Sequence, residues 1–322
     1  MTDRGLTSPP RPPAVVTVLG EQPPEALGVT DAHNHVWIDQ VRGTAEVVPH
    51  LDEKQPILQE LIDYRLAGGG AIADCQPGGA GRNGLRLEEL AQQSGIHLIA
   101  CTGFHLPTYY PEDYALFQAS ADRAHALFVS ELQHGLTETL ARPRPVRAGF
   151  IKIACHATLA TTPQALLEGA LRASLETGAL IVAHTENGSA AEAFAQYFLE
   201  GRLPPHRLVL CHIDKRPDLG LHEALAQVGV GLEYDTFFRP KYEPEQNVWP
   251  LLERMVSDGW AGQVVLAADM GGPSMWSRLG NGPGLTALLT QVEPRLRQSG
   301  MDETTVRTLM GGNMAHRLAR PL

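Results

Sequence analysis

An α/β chain closed into a (β/α)8 TIM barrel is what this sequence predicts, and three observations predict it. Eight short apolar, β-like runs recur along the 322 residues, amphipathic helical stretches separate them, and several runs end on an ionisable residue. Strand then helix, repeated around the chain, is the order that builds a parallel barrel, and its strands, covered on both faces, read as near-continuous apolar runs.

The strand runs fall at residues 28–36, 71–75, 97–103, 149–155, 180–184, 207–212, 230–235 and 263–268. Helical patterns occupy 56–66, 85–93, 163–176, 190–199, 219–226 and 248–257. Residues 282–299 and 302–319 read as closing helices, the second started by Asp302 with Thr305 nearby. An open doubly wound sheet would need a phosphate-binding glycine signature between an early strand and its helix. Gly78-Gly79-Ala80-Gly81 is too irregular for that and reads as a tight loop near the rim. No repeat or linker cuts the chain, so residues 15–322 are expected as one domain behind a flexible Pro-rich arm over 1–14.

With 43% hydrophobic and 19% charged residues, the chain can bury a barrel-sized core. A formal net charge of −10, without a basic tract, argues against nucleic acid or an anionic membrane as the main partner and leaves a small molecule. No apolar stretch approaches the roughly 20 residues of a membrane helix, and no signal segment is present, so a cytoplasmic protein is expected. Cys75, Cys101, Cys155 and Cys211 lie in or beside apolar runs without a C-x-x-C pair and read as reduced, buried thiols.

The chemistry is carried by the strand ends. His33 and His35 stand two apart, so an extended strand points both imidazoles to one face, where they can share an ion. Phe150-Ile151-Lys152-Ile153 places a lysine inside an apolar strand, where an unpaired ammonium is costly. The runs ending at His184, His212 and Asp269 repeat one layout, and in a parallel barrel those ends share a rim. Taken singly, each has a plainer reading: a satisfied histidine at a strand end, an aspartate capping a turn, a lysine paired with a buried carboxylate. Taken together, His33, His35, Lys152, His184, His212 and Asp269 read as a two-metal hydrolase site.

These motifs, with Val16 to Gly20, Ala183-His184-Thr185, Cys211-His212-Ile213-Asp214, Gly282-Pro283-Gly284-Leu285 and Gly312-Asn313, resemble in order the phosphotriesterase-like branch of the metal-dependent amidohydrolase superfamily, its lactonase members above all. The resemblance covers nearly the whole chain after the arm. It implies a barrel with two divalent cations, zinc, manganese or cobalt, at the C-terminal rim of the strands. Carried over, His33, His35 and Asp269 would hold the more buried ion, His184 and His212 the more exposed one, and a carbamylated Lys152 would bridge them. It also implies a bridging hydroxide as nucleophile, Asp269 as the catalytic group that orients it and takes its proton, and a homodimer.

Loops after the strands set substrate choice in such a barrel. Gly103 to Pro111 resembles the aromatic loop of the lactonase members, which makes Tyr109 or Tyr110 a candidate partner for a lactone oxygen. Lys215, Arg239, Lys241 and Arg278 are candidate cations for a phosphate or carboxylate. The expectation is a metal-dependent hydrolase of a sugar, sugar-phosphate or sugar-acid lactone; the alternative is a phosphotriester or another carboxylic ester or amide. Two departures from the family pattern bear on this. Asn34 stands where glutamate is common, and Leu232-Glu233-Tyr234-Asp235 offers no histidine for the proton relay of the true phosphotriesterases, with Lys215 about where its far carboxylate would be.

Overall fold

The computed structural model describes residues 12–44 and 48–322. β1 (Val15–Thr17) and β2 (Gly20–Gln22) form an antiparallel hairpin. The eight strands β3 (Val29–Asn34), β4 (Gly69–Asp74), β5 (His97–Gly103), β6 (Phe150–Ala154), β7 (Ile181–His184), β8 (Leu208–Cys211), β9 (Gly231–Tyr234) and β10 (Val264–Leu266) pair in chain order, all parallel. β10 returns to β3: the Asp269 amide donates to the His33 carbonyl at 2.9 Å, and the Ala268 amide to the Asp31 carboxylate at 3.1 Å. Each expected strand run overlaps one of these eight strands, and the barrel is the TIM barrel anticipated.

Seven helices, α1 (Lys54–Leu66), α2 (Gly84–Ser94), α3 (Ala121–Gln133), α4 (Gln164–Thr177), α5 (Ala191–Glu200), α6 (Leu219–Gln227) and α7 (Val248–Ser257), supply the crossovers. Local chemistry fixes their ends. Asn83, Ser120 and Asp218 accept the amides of Arg86, Arg123 and Leu221 as N-caps, and Gly95 and Gly178 take left-handed backbone at the ends of α2 and α4. α3 lies outside the expected helical stretches. Its buried face, Ala124, Phe128 and Leu132, also includes Glu131, a charge where the apolar stripe should continue.

The first closing helix starts later than expected, since residues 282–286 are not helical, and runs as a π turn at Leu288–Val292 into Glu293–Gln298. The second spans nearly the expected length but is broken, with α segments at Glu303–Arg307 and Asn313–Leu318 on either side of a π turn at Thr308–Gly312. Gly311 has φ +141°, and a Cβ there would lie 2.4 Å from the Thr30 amide nitrogen, so the break lets the chain press against β3. Asp302 does cap its helix, accepting the Thr305 amide at 2.7 Å. Of the arm expected over 1–14, residues 1–11 lie outside the described residues; Ala14 exchanges backbone hydrogen bonds with Arg320 at 3.0 Å each way. Among the described residues no helix is long and apolar enough to cross a membrane.

Alternation along the strands leads directly to the rim. Phe150, Val182, Val265 and Ala267 belong to one buried cluster, while Ile151, Ile153, Ile181, Ala183, Leu266 and Ala268 belong to the other, which holds the helix faces. Continuing the first file by two residues reaches Lys152, His184 and Asp269. His212 breaks the alternation, because Cys211 before it already faces the first cluster. Its left-handed φ of 60° is the local departure that re-aims the chain at this point.

One buried ion cluster ties the rim loops down. Arg82 donates to both oxygens of Glu131 at 2.7 and 2.6 Å, to both oxygens of Glu138 at 2.9 and 2.7 Å, and to the Cys101 carbonyl at 2.8 Å. Burial alone would raise the Glu131 carboxyl, but Arg82 beside it holds it down to about 2. Arg82→Met is expected to leave a buried carboxylate without its counter-ion and to cost about 3–5 kcal/mol. A lower urea midpoint at an unchanged slope is the result that checks it; an unmoved midpoint would refute it.

Candidate metal centre and active site

Four imidazoles meet at the C-terminal mouth. His33 and His35, at the end of β3 and just beyond it, have ring centroids 5.5 Å apart; His212 stands 5.0 Å from His33, and His184 4.7 Å from His212. Their orientations come from neighbouring strands. His33 Nδ1 contacts Glu233 Oε1 at 2.7 Å, His35 Nδ1 contacts Gln76 Oε1 at 2.6 Å, and His212 Nδ1 contacts Asp235. A ring nitrogen facing an oxygen acceptor carries the hydrogen, which leaves the Nε2 lone pair free to bind a cation.

Asp269 completes the first cluster. Its Oδ1 lies 3.8 Å from His33 Nε2 and 3.7 Å from His35 Nε2, and the three groups can offer ligand atoms all within 4.8 Å of one another. Burial and the neighbouring His33 push the His35 imidazole down to about 3, so it is neutral. Burial opposes ionisation of Asp269, but His33 and Arg239 outweigh it and hold its carboxyl at about 2. A neutral imidazole beside an ionised carboxylate is the donor chemistry a divalent cation needs. Asp269, like His212, has left-handed backbone, with φ 45°.

Lys152 is fully buried below the imidazoles. Its Nζ lies 3.2 Å from His33 Nε2 and 3.8 Å from Cys211 Sγ, and among the described residues no carboxylate oxygen comes within 4 Å of it. β6 reaches the mouth because Gly103, at φ +113°, lets the neighbouring strand approach: a Cβ there would sit 1.8 Å from the Lys152 carbonyl oxygen. His184 Nε2 contacts Glu186 Oε1 at 2.8 Å, so a cation at His184 must displace that carboxylate or use Nδ1.

The four histidines and Asp269 open onto a cavity of about 370 Å³. The structure brings three of the expected substrate contacts to its wall: Tyr109, Lys215 and Arg239. Arg239 is already engaged, with Nη2 2.7 Å from Asp269 Oδ2 and 2.5 Å from its carbonyl oxygen, while its Nε is buried without a partner. The other three stand elsewhere. Tyr110 is buried under the loop, its hydroxyl accepting the His105 amide at 2.9 Å. Lys241 is exposed and lies 4.8 Å over the Tyr242 ring. Arg278 pairs with Asp63 at 2.5 Å. None of these three lines the cavity.

Glu233, Asp235, Gln76 and His105 were not singled out. Glu233 and Asp235 lie on or just past β9, and a carboxylate within a buried strand signals a hidden partner. His105 is one more histidine at the end of an apolar run, the same signal that marked His184.

Comparison with known proteins agrees with this architecture. The model of the phosphotriesterase family matches residues 13–317. The chain is similar to the phospho-furanose lactonase of Mycoplasmopsis synoviae (strain 53), 27% identical with 94% of this chain and 91% of that protein covered. It is similar, at 25% identity, to the N-acetyltaurine hydrolase of Salmo salar, covering 93% of this chain and 96% of that one. A lactonase from Listeria monocytogenes superposes with a TM-score of 0.85 at 25% identity, over 94% of this chain and 98% of the other. With a family match spanning nearly every described residue, the chain belongs to the phosphotriesterase family of metal-dependent hydrolases.

Proposed function

We propose that this hydrolase opens a lactone carrying an anionic group, a sugar-phosphate or sugar-acid lactone, at the mouth of its barrel. The observation that carries the reading is one cavity that joins the histidine and aspartate cluster to two cations, Lys215 and Arg239. Kinship with proteins named as lactonases supports it. A homodimer working in the cytoplasm completes the proposal.

In this reading His33, His35 and Asp269 would hold one divalent ion and His184 and His212 a second, with Lys152 as a further ligand. The residues fit such a pair: a neutral His35 imidazole, an ionised Asp269 carboxylate, and a buried lysine with no carboxylate oxygen within 4 Å among the described residues, which carbamylation would turn into an anionic oxygen ligand. When bound, the two ions, zinc, manganese or cobalt, supply Lewis acidity and lower the pKa of water.

The chain's own groups do the rest. Asp269 takes a proton from the attacking water. The water oxygen bonds to the lactone carbonyl carbon, the ring C–O bond breaks, and the departing ring oxygen takes up a proton, giving a hydroxy acid. Lys215 and Arg239 hold the anionic substituent through charge-assisted hydrogen bonds. Amide hydrolysis is the second reading, and the N-acetyltaurine hydrolase relative favours it. Phosphotriester hydrolysis is weaker, because β9 brings carboxylates rather than a histidine beside the cluster.

Proton release by manganese- or zinc-loaded protein is expected to favour a phosphorylated lactone over its neutral counterpart. Lys215→Ala is expected to raise KM for the phosphorylated one by roughly 10–100-fold, leaving the neutral one unchanged. Turnover of an N-acyl amide, but of no lactone, with two ions bound per chain would shift the assignment to the second reading. Gln76→Leu removes the acceptor that orients His35 and is expected to weaken metal affinity by about 10–100-fold. Competition with a chromogenic chelator measures it, and an unchanged affinity would remove His35 from the ligand set.

A further inference from the structure

His105 follows β5 and lines the cavity, yet nothing in the proposed reaction uses it. Its position is set with care. Its backbone N–H donates to the Tyr110 hydroxyl at 2.9 Å, and Tyr110 is itself fixed by stacking on Tyr114 (centroids 4.7 Å) and by an edge contact with Phe117 (4.9 Å). The His105 ring is oriented from the same loop, its Nδ1 accepting the Leu106 amide at 2.8 Å. A backbone amide can only donate, so Nδ1 holds the lone pair and the ring hydrogen is on Nε2. With its lone pair on Nδ1, this imidazole is neutral. Tyr109 covers it edge-on, with centroids 4.2 Å apart, and no hydrogen-bond partner for Nε2 is present among the described residues.

Strand order decides what this donor can meet. β5 is third and β9 seventh in a ring of eight, so the loop bearing His105 and Tyr109 faces the loop bearing Arg239 across the mouth; Lys215, after β8, flanks Arg239 on that far side. One wall offers a neutral N–H and a phenol, the other two cations. A substrate spanning the mouth places its anionic group at the cations and an uncharged oxygen at His105. A hydroxyl, which both donates and accepts, matches an imidazole N–H beside a phenol; a second anion would find no cation on that wall.

We infer that His105 is the specificity-determining donor for a hydroxyl on the substrate ring, its Nε2–H reaching the side of the lactone away from the anionic substituent. The inference rests on the lactonase reading. A deoxygenated ring would leave a positioned, partly desolvated donor unpaired, and rejection of such an analogue is how a hydrogen-bonding site discriminates.

The test compares two phosphorylated lactones of equal ring size, one without ring hydroxyls, on metal-loaded wild type, His105→Leu and His105→Gln. Wild type is expected to favour the hydroxylated ring by about 10-fold or more in kcat/KM. His105→Leu is expected to bring that ratio to within about twofold by losing rate on the hydroxylated ring alone, with metal content unchanged, and His105→Gln, which restores an N–H, to recover part of it. An unaltered ratio in His105→Leu, or equal losses on both rings, overturns the inference while the lactonase reading stands. Turnover of neither lactone by wild type carrying two ions overturns that reading and the inference with it.

Discussion

The hydrogen bond from the Asp269 amide to the His33 carbonyl joins the last strand region of the barrel to the first, and the candidate ion cluster sits astride it. His33 and His35 come from one side of that seam and Asp269 from the other, so the cluster exists only because the sheet closes. Asp31 secures the same place. Its carboxylate accepts the amides of His33 and Ala268 and the side-chain amide of Asn34, standing in for ladder bonds that the short β10 does not make. Asn34, which departs from the family's usual glutamate, is spent on this seam rather than on the cavity.

Closure brings like groups together, and the way the fold handles their charge explains the furnishing around them. Several protonated imidazoles beside an ammonium would repel one another in a poorly solvated space. Burial removes the charge from His35, and Glu233 and Asp235, coming from β9, take the Nδ1 hydrogens of His33 and His212. The same contacts set ring orientation. Left-handed backbone at His212 and Asp269 belongs to the same solution: non-glycine residues hold such strain where the surroundings over-determine it, and here the surroundings are the barrel rim.

How much of this is legible in sequence depends on whether a signal is local. The strand ends are legible because an apolar run that stops on an ionisable residue is unusual in itself, and His184 and Asp269 follow their apolar files by the same two-residue period. Tyr109 and Tyr110 show the limit. Adjacent in a short turn, they are equivalent on paper, and only the tertiary bond from the His105 amide sends Tyr110 inward. α3 is hidden because Glu131 interrupts its apolar face, and the reason, Arg82, lies 49 residues earlier. The cations divide likewise. Lys215 and Arg239 reach the wall, while Lys241 and Arg278 find partners in Tyr242 and Asp63 that no spacing rule connects to them.

Charge distribution ties the site to its expected ligand. The chain carries a net −10, yet Lys215 and Arg239 line one mouth with the histidines, and both help hold Asp269 ionised. A positive pocket in a negative body attracts a small anion at short range while the surrounding surface repels extended polyanions, whose many charges must approach over a wider area. Arg239 couples the two ends of this arrangement. It faces the cavity and bonds the Asp269 carboxylate, so any anion drawn to it shares its guanidinium with Asp269, and a ligand's charge thereby bears on the basicity of that carboxylate.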